Sequence, residues 1–524
     1  VHDAEWPSAG VEVEVRFRAG VDVGRRADGA VEIRHPWGAQ LLTGVTDAIA
    51  DVLADLGRRW VPKADLWTRT AGAGNNEDAG LEVTAFSRLL WTLTQLESVC
   101  ALRLVDGVGE PYVTVEPAAA AASLDAAFAT CEQPRLSRLA YITRHDDGMA
   151  VESAVALHRV VLHTDWSMAL LGRLARGLRS GVWETATEES PGGANAVIRL
   201  LGAAGMLQGS ERGEPAGLSH DVLALAELHD LLFHRRSRLG LHDDAFGGTF
   251  PFLDRIPAPP AVRERPTGDA ILLGVPPEPA PDAEPPFAEV LEKRASVRRY
   301  GSEPLTIRQL GELLFRTARA RARYGPEPEA GLPYEALDRP VPSGGGMHDL
   351  EVYLVADRVD GLASGLYHYD AARHALEPLP PREGAATSLL QGAIAASGAP
   401  EPPHVLITIA SRFTRMAWKY RAISYATTLK NVGALYQTVY LVATAMRIGT
   451  CALGSGNSAV QSKAFDLTAR SEIPVGEMML GSLPADGPDP GERAHLKAHT
   501  TWTALVEPDW GRRRHDEPGR AGDG

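Results

Sequence analysis

Five short stretches carry residues whose types and spacing suit chemistry. Arg294, Ser296 and Arg298 alternate in LEKRASVRRY at 291–300. In extended chain, alternation sends all three side chains to one side. Two guanidinium forks and a hydroxyl suit a phosphate, although a solvated basic run after a helix would use the same residues. Pro342, Ser343 and Gly344 open PSGGGMH at 342–348. Consecutive glycines bring backbone N–H groups close to a flat or charged ligand, or simply form a flexible loop. Lys419 and Tyr420 lie side by side in WKYRAISY at 418–425, where the pattern predicts the start of a long helix. Such a pair can supply a base and a hydrogen-bond donor where burial or a neighbouring charge tunes it. Basic residues snorkelling from an amphipathic helix are the plainer alternative. Leu453, Gly454 and Ser455 follow in CALGSGN at 451–457, as backbone turned against a cofactor ring or as an ordinary helix-to-loop turn. Cys451 reads as a small buried apolar residue rather than a nucleophile. In the helix expected over 229–238, His229 and His234 are five apart and do not share a face, which argues against a metal.

These stretches need elements to hold them. A helix carrying Ile307, Leu310, Leu313 and Leu314 is predicted to start at Thr306, a suitable N-cap. Strands are expected at 350–356, 405–410, 478–483 and 501–506. A long helix is expected over 422–446, with Arg447 in its last turn and Gly449 beyond. The alternation implies an α+β or mixed α/β domain around one dominant buried helix. No GxGxxG follows a strand and no Walker loop is present, so classical dinucleotide and P-loop readings find little support.

Upstream, eleven of the 37 prolines fall within 251–286. That density opposes helix and favours extended chain, a linker that drapes over a neighbouring surface. Before it, the order strand, helix, helix, short hairpin occurs twice. Strands at 11–17 and 31–34, helices beginning at Val45 and over 85–96, and 101–104 form the first set. A strand at 160–163, helices near 168–178 and 194–204, and 205–207 form the second. This is the order of a winged helix, yet neither copy has a basic recognition helix. The organisation expected is therefore a winged-helix-like unit at 1–130, a second at 131–250, the linker at 251–286, a main domain at 287–510 and a polar tail at 511–524.

The 524 residues carry a formal net charge of −14. An acidic balance argues against nucleic acid as the main partner. Cys100, Cys131 and Cys451 are odd in number and far apart. They suit neither a disulfide framework nor a zinc site, and fit a reducing cytoplasm. The first residues lack a basic segment before an apolar run, so no signal peptide is expected. The longest apolar stretch, 435–446, is short of the roughly 20 residues a membrane span needs.

In their order and spacing, LEKRASVRRYG (291–301), PSGGGMHDLEVYLV (342–355), GLYHYD (365–370), WKYRAISY (418–425), KNVGALYQTVYLVATAM (430–446) and VGEMMLGSLP (475–484) resemble the SagB-type (ThcOx-like) dehydrogenases. These are a branch of the FMN-dependent nitroreductase fold. HDLLFHRRSRLG (229–240) and GGTF (247–250) resemble the joining region of longer members. The resemblance covers about residues 135–484 and is most specific from 287 onward. It implies FMN bound at a homodimer interface. It assigns Arg294, Ser296 and Arg298 to the phosphate and ribityl chain, and Pro342, Ser343 and Gly344 to the isoalloxazine ring. Leu453, Gly454 and Ser455 fall near the flavin N5 edge, and Lys419 and Tyr420 match a Lys-Tyr pair implicated in azoline oxidation. The implied reaction converts thiazolines or oxazolines of a ribosomal precursor peptide to azoles, beside a cyclodehydratase that makes the rings. Ala295 stands where an arginine is common, and the usual C-terminal cationic phosphate contact has only Arg493 and Lys497 as candidates. The competing expectations are an NAD(P)H-dependent nitro or quinone reductase and a non-catalytic scaffold subunit.

Overall fold

The computed structural model describes residues 11–71, 79–124, 134–177, 191–208, 225–263, 269–278, 284–468 and 471–485. Cys131, Arg493, Lys497, the strand expected at 501–506 and the tail at 511–524 lie outside the described residues. The chain divides into two compact units, one of Val1–Thr249 with Tyr420–Ile423, the other of Phe250–Lys419 with Ser424–Gly524.

The first unit is built on one seven-stranded antiparallel sheet. Its spatial order is Val61–Pro62, Glu12–Phe17, Cys100–Val105, Pro111–Pro117, His158–Leu162, Gly148–Ser153, Ala140–His145. Helices Asp47–Leu56 and Ala79–Gln95 bury Ile49, Leu53, Leu89 and Leu93 with Val15 and Phe17. Helices Asp165–Arg176 and Pro191–Ala203 bury Leu170, Leu174, Val197 and Leu201 with Val113, Val115 and Val160. Between the first two helices lies another, Lys63–Ala71, that the sequence reading did not expect, and after the second pair the described chain continues as a short strand. There Leu207–Gln208 returns to pair with Arg135–Leu136. Ahead of the second pair of helices, Asp146-Asp147 turns between the paired strands Ala140–His145 and Gly148–Ser153.

The second unit holds another seven-stranded antiparallel sheet. Its order is Ile271–Leu272, Ala375–Pro378, Gly365–Asp370, Leu350–Ala356, Val405–Ser411, Ile473–Ser482, Ile448–Leu453. Both faces are covered, so central strands Leu350–Ala356 and Val405–Ser411 are buried along their whole length. Val352 and Leu354 meet helices Ile307–Ala318 and Ser424–Ala445 on one face. Tyr353 and Val355 meet helices Ala385–Ser397 and Ser458–Phe465 on the other. Cys451 is buried in that second layer. Thr306 caps its helix through a reciprocal capping box with Gln309, a device worth about 1 kcal/mol.

The same sheet buries charge. His368 lies between two carboxylates, with Nε2 3.1 Å from Glu351 Oε2 and Nδ1 2.9 Å from Glu377 Oε2. Burial alone would push the Glu351 carboxyl up. The hydrogen bond and charge of His368, with the Arg339 and Arg412 guanidinium groups, outweigh it and hold the group at about 2. A folded-state value below the ordinary 4.5 gives stability that is present above pH 4.5 and lost as pH falls towards 2. Urea denaturation at stepped pH is expected to show that loss, and Glu351→Gln to flatten it. An unchanged acid slope in Glu351→Gln would assign the loss to other groups.

Candidate active site

The site is assembled around one buried acid. Asp349 directly precedes strand Leu350–Ala356 and is 0% exposed. A lone carboxylate there would be costly, but three donors meet it. Ser411 Oγ lies at 2.6 Å, Thr428 Oγ1 at 2.9 Å and Asn431 Nδ2 at 2.8 Å. Asn431 then reaches the glycine run. Its Nδ2 donates to Ser343 Oγ at 3.1 Å and its Oδ1 accepts from the Gly344 N–H at 3.1 Å. Ser343 Oγ also accepts from the His348 N–H at 3.0 Å. The run forms a tight turn at Gly344–Gly346, with Gly345 at φ 63° and Gly346 at φ 66°. Gly344 lies so close to helix Ser424–Ala445 that a Cβ would overlap the Thr427 methyl. Pro342 and Ser343 line a small cavity with Asn431 and Leu435.

Farther along the same helix, Tyr440 joins two of the predicted stretches. Its hydroxyl is 2.9 Å from Ser296 Oγ and accepts from the Ala452 N–H at 2.8 Å. The Arg294 guanidinium lies 5.3 Å from the Tyr440 ring centroid, a cation–π distance. Arg294 and Ser296 therefore converge, as their alternation predicts, and Arg298 is half-buried in the same run. Val297, between them, faces the other way and donates its N–H to Thr450 O at 2.9 Å.

Leu453 ends strand Ile448–Leu453, and Gly454 and Ser455 emerge from it exposed. A Cβ on Gly454 would point into open space. The turn is backed by Glu477, buried and held by the Gln461 amide. Burial pushes the Glu477 carboxyl up, and the Gln461 hydrogen bond opposes that.

Lys419 departs from the sequence reading. Trp418 and Lys419 close a short helix, Phe413–Lys419, and the long helix begins only at Ser424. Residues 420–423 break between the two, so the pair does not open the long helix. The Lys419 Nζ does not snorkel outward. It donates to the Tyr334 hydroxyl and lies 4.5 Å from the Tyr334 ring centroid and 5.7 Å from that of Phe250. Tyr334 in turn donates to Gly345 O at 2.8 Å. Tyr420 forms a bridge with Gly248.

A buried arginine fixes these surroundings. Arg415 donates from Nε to Met347 O at 3.0 Å, from Nη2 to Glu335 O at 2.9 Å and from Nη1 to Pro259 O. Burial pulls its guanidinium down to about 10, with repulsion from Arg412 and Arg339 adding to the effect. It remains a cation at neutral pH. Trp418 Nε1 and Arg412 bind further carbonyls of the proline-rich stretch, at Ile256, Pro260 and Ala261.

Sequence reasoning missed Tyr334, Asp349, Arg415, Asn431 and Tyr440. The one signal available was polarity out of place: an acid at the mouth of an apolar strand, and an asparagine within the apolar stripe of a helix. Among the described residues no group of three or more His, Cys, Asp or Glu could hold a metal. Nor is any described helix long and apolar enough to cross a membrane.

Comparison with known proteins places these features in context. Residues 291–482 match the family model for nitroreductases. Residues 134–243 match the model for the cyanobactin oxidase ThcOx. A protein of Methanocaldococcus jannaschii described as a nitroreductase is 36% identical over 171 residues, 32% of this chain and 77% of that one. The microcin B17-processing protein McbC of Escherichia coli is 26% identical over 188 residues, 35% of this chain and 64% of its own. The trifolitoxin-processing protein TfxB of Rhizobium leguminosarum is 36% identical over 92 residues, 17% of this chain and 24% of its own.

Two substitutions test the assembly. Asp349→Ala leaves three buried donors without their acceptor, and is expected to cost about 3 kcal/mol or more in chemical denaturation. A loss under 1 kcal/mol would remove Asp349 from the centre of the site. Gly344→Ala is expected to cost about 1–3 kcal/mol by overpacking. Thr427→Ser, which deletes the opposing methyl, should restore most of that loss in the double variant. Simple additivity would show that the two residues do not meet.

Proposed function

The chain belongs to the nitroreductase family, and we propose that it is an FMN-dependent oxidase that converts thiazoline or oxazoline rings of a ribosomally made precursor peptide to thiazoles or oxazoles. The observation that carries this reading is the pairing, in one chain, of a ThcOx-type stretch with a nitroreductase stretch that holds Lys419 and Tyr420. A general reductase has no use for the first stretch, and a scaffold has none for the second.

The residues present fit FMN. Arg294 and Ser296 converge at Tyr440 beside half-buried Arg298, a donor set suited to a phosphate. The Gly344–Gly346 turn offers backbone that can approach a flat ring. Gly454 and Ser455 are exposed, with open space where a Cβ on Gly454 would stand. Bound FMN would supply the two-electron hydride acceptor. The chain must then take the proton from the ring carbon next to the peptide carbonyl. That proton is weakly acidic and needs a placed base, for which Lys419 and Tyr420 are the candidates. The partners in this reading are the azoline-containing peptide, the cyclodehydratase that makes the rings and a second copy of the chain. In this reading the first unit docks the precursor or the cyclodehydratase, and edge strand Ala140–His145 is where an extended segment would add.

Absorption spectroscopy followed by anaerobic mixing with an azoline-containing peptide tests the reaction. Flavin bands that bleach with peptide, with two hydrogens lost per ring, are the expected result. Bleaching by NADPH alone would make the protein a reductase, and no flavin after reconstitution with excess FMN would make it a scaffold. Lys419→Ala and Tyr420→Phe should keep FMN and lose azole formation; normal turnover by both would sink the assignment. Arg298→Ala should lower FMN occupancy, and unchanged flavin content would count against its phosphate role.

A further inference from the structure

We propose that Tyr334 is the positioning residue of Lys419, orienting its amine by taking an N–H and tying it to the glycine turn. The inference rests on the functional reading above for its catalytic meaning, and on geometry alone for the contact.

Gly345 O is a carbonyl oxygen and only accepts, so the Tyr334 hydroxyl spends its single proton there, at 2.8 Å. Towards Lys419 the hydroxyl therefore offers only a lone pair. Lys419 must meet it with an N–H. In a neutral amine this directs the nitrogen lone pair away from Tyr334, so the group that would accept a substrate proton is aimed rather than left to rotate. The ring faces of Tyr334 and Phe250 border the same nitrogen, at 4.5 and 5.7 Å.

Tyr334 is itself held firmly. It is 4% exposed. Burial raises its phenol above the ordinary value, with Arg415 opposing, so the proton it donates stays on. Its neighbour Glu335 is bound through its carbonyl to Arg415, which also grips Met347 at the end of the glycine turn. The Phe250 N–H donates to the Lys419 carbonyl at 3.1 Å, and the Phe250 ring packs edge-on against Trp418 at 5.8 Å. Both ends of Lys419 are thus fixed relative to the turn proposed to face the isoalloxazine ring.

Tyr334→Phe keeps the ring and deletes only the hydroxyl. In the FMN-loaded protein kcat for azoline oxidation should fall roughly 10- to 100-fold, a loss typical of a misplaced reacting group. KM and flavin content should hold, and the pH–rate profile should change. Added to Lys419→Ala, the substitution should cost nothing more. A second readout needs no turnover. Acylation of Lys419 by acetic anhydride, followed by peptide mass spectrometry, should rise severalfold at a given pH in Tyr334→Phe, because an acceptor for its N–H is gone. Wild-type labelling with a wild-type pH–rate profile would overturn the proposal, as would full additivity with Lys419→Ala. Altered labelling in a protein that oxidises no azoline would retain the contact and discard the functional reading.

Discussion

The carboxylate of Asp349 is the contact on which the arrangement of the second unit depends. It joins three elements remote in sequence: the entry to a central strand, the last residue of that strand's neighbour and one face of the long helix. Each bond to a buried charge is worth about 1.5–3 kcal/mol, and loss of any one leaves a buried group unmet. From Asn431 the constraint passes to Ser343 and Gly344, so the glycine turn is hung from the helix rather than left to its own flexibility. A turn rich in glycine has much conformational entropy to lose, and external bonds of this kind hold it in one shape.

The same helix carries the constraint onward. Asn431 holds the glycine turn, and Tyr440 holds Ser296, Arg294 and the strand that delivers Leu453. Three of the chemically suggestive stretches are thereby referenced to one rigid rod. Lys419 reaches the rod by a different route, through Tyr334 and the turn. The site is pre-organised by shared supports more than by contacts among its own members, and a change in one support is felt at several of them.

Much of this unit is legible in the sequence because its signals are local. Strand Leu350–Ala356 has the boundaries expected for it, and Thr306 caps the helix it was expected to cap. Alternation places Arg294 and Ser296 on one side because extended backbone leaves no other choice. The supports are less legible because their partners are distant. Arg415 binds a carbonyl 80 residues earlier and another 156 residues earlier. Nothing near Tyr334 announces Lys419, 85 positions away. The long helix begins at Ser424, close to the expected 422, but the short helix Phe413–Lys419 ahead of it went unread for a related reason. Periodicity does not register a four-residue break when residues on both sides suit a helix. In the first unit the second pair of helices was expected to lead into a hairpin, and the described chain there is a short strand, Leu207–Gln208, whose partner Arg135–Leu136 is distant in sequence.

The continuous sheet of the first unit has a consequence for how such chains are inherited. Pro111–Pro117 pairs with His158–Leu162 along five residues, so the two runs of strands close each other's open edge. A recombination event between them would hand each descendant a bare, apolar edge strand, and bare edges recruit other chains into aggregates. The two helix pairs can resemble separate modules and yet be bound to travel together. Selection against insolubility, rather than against loss of catalysis, would keep that junction intact.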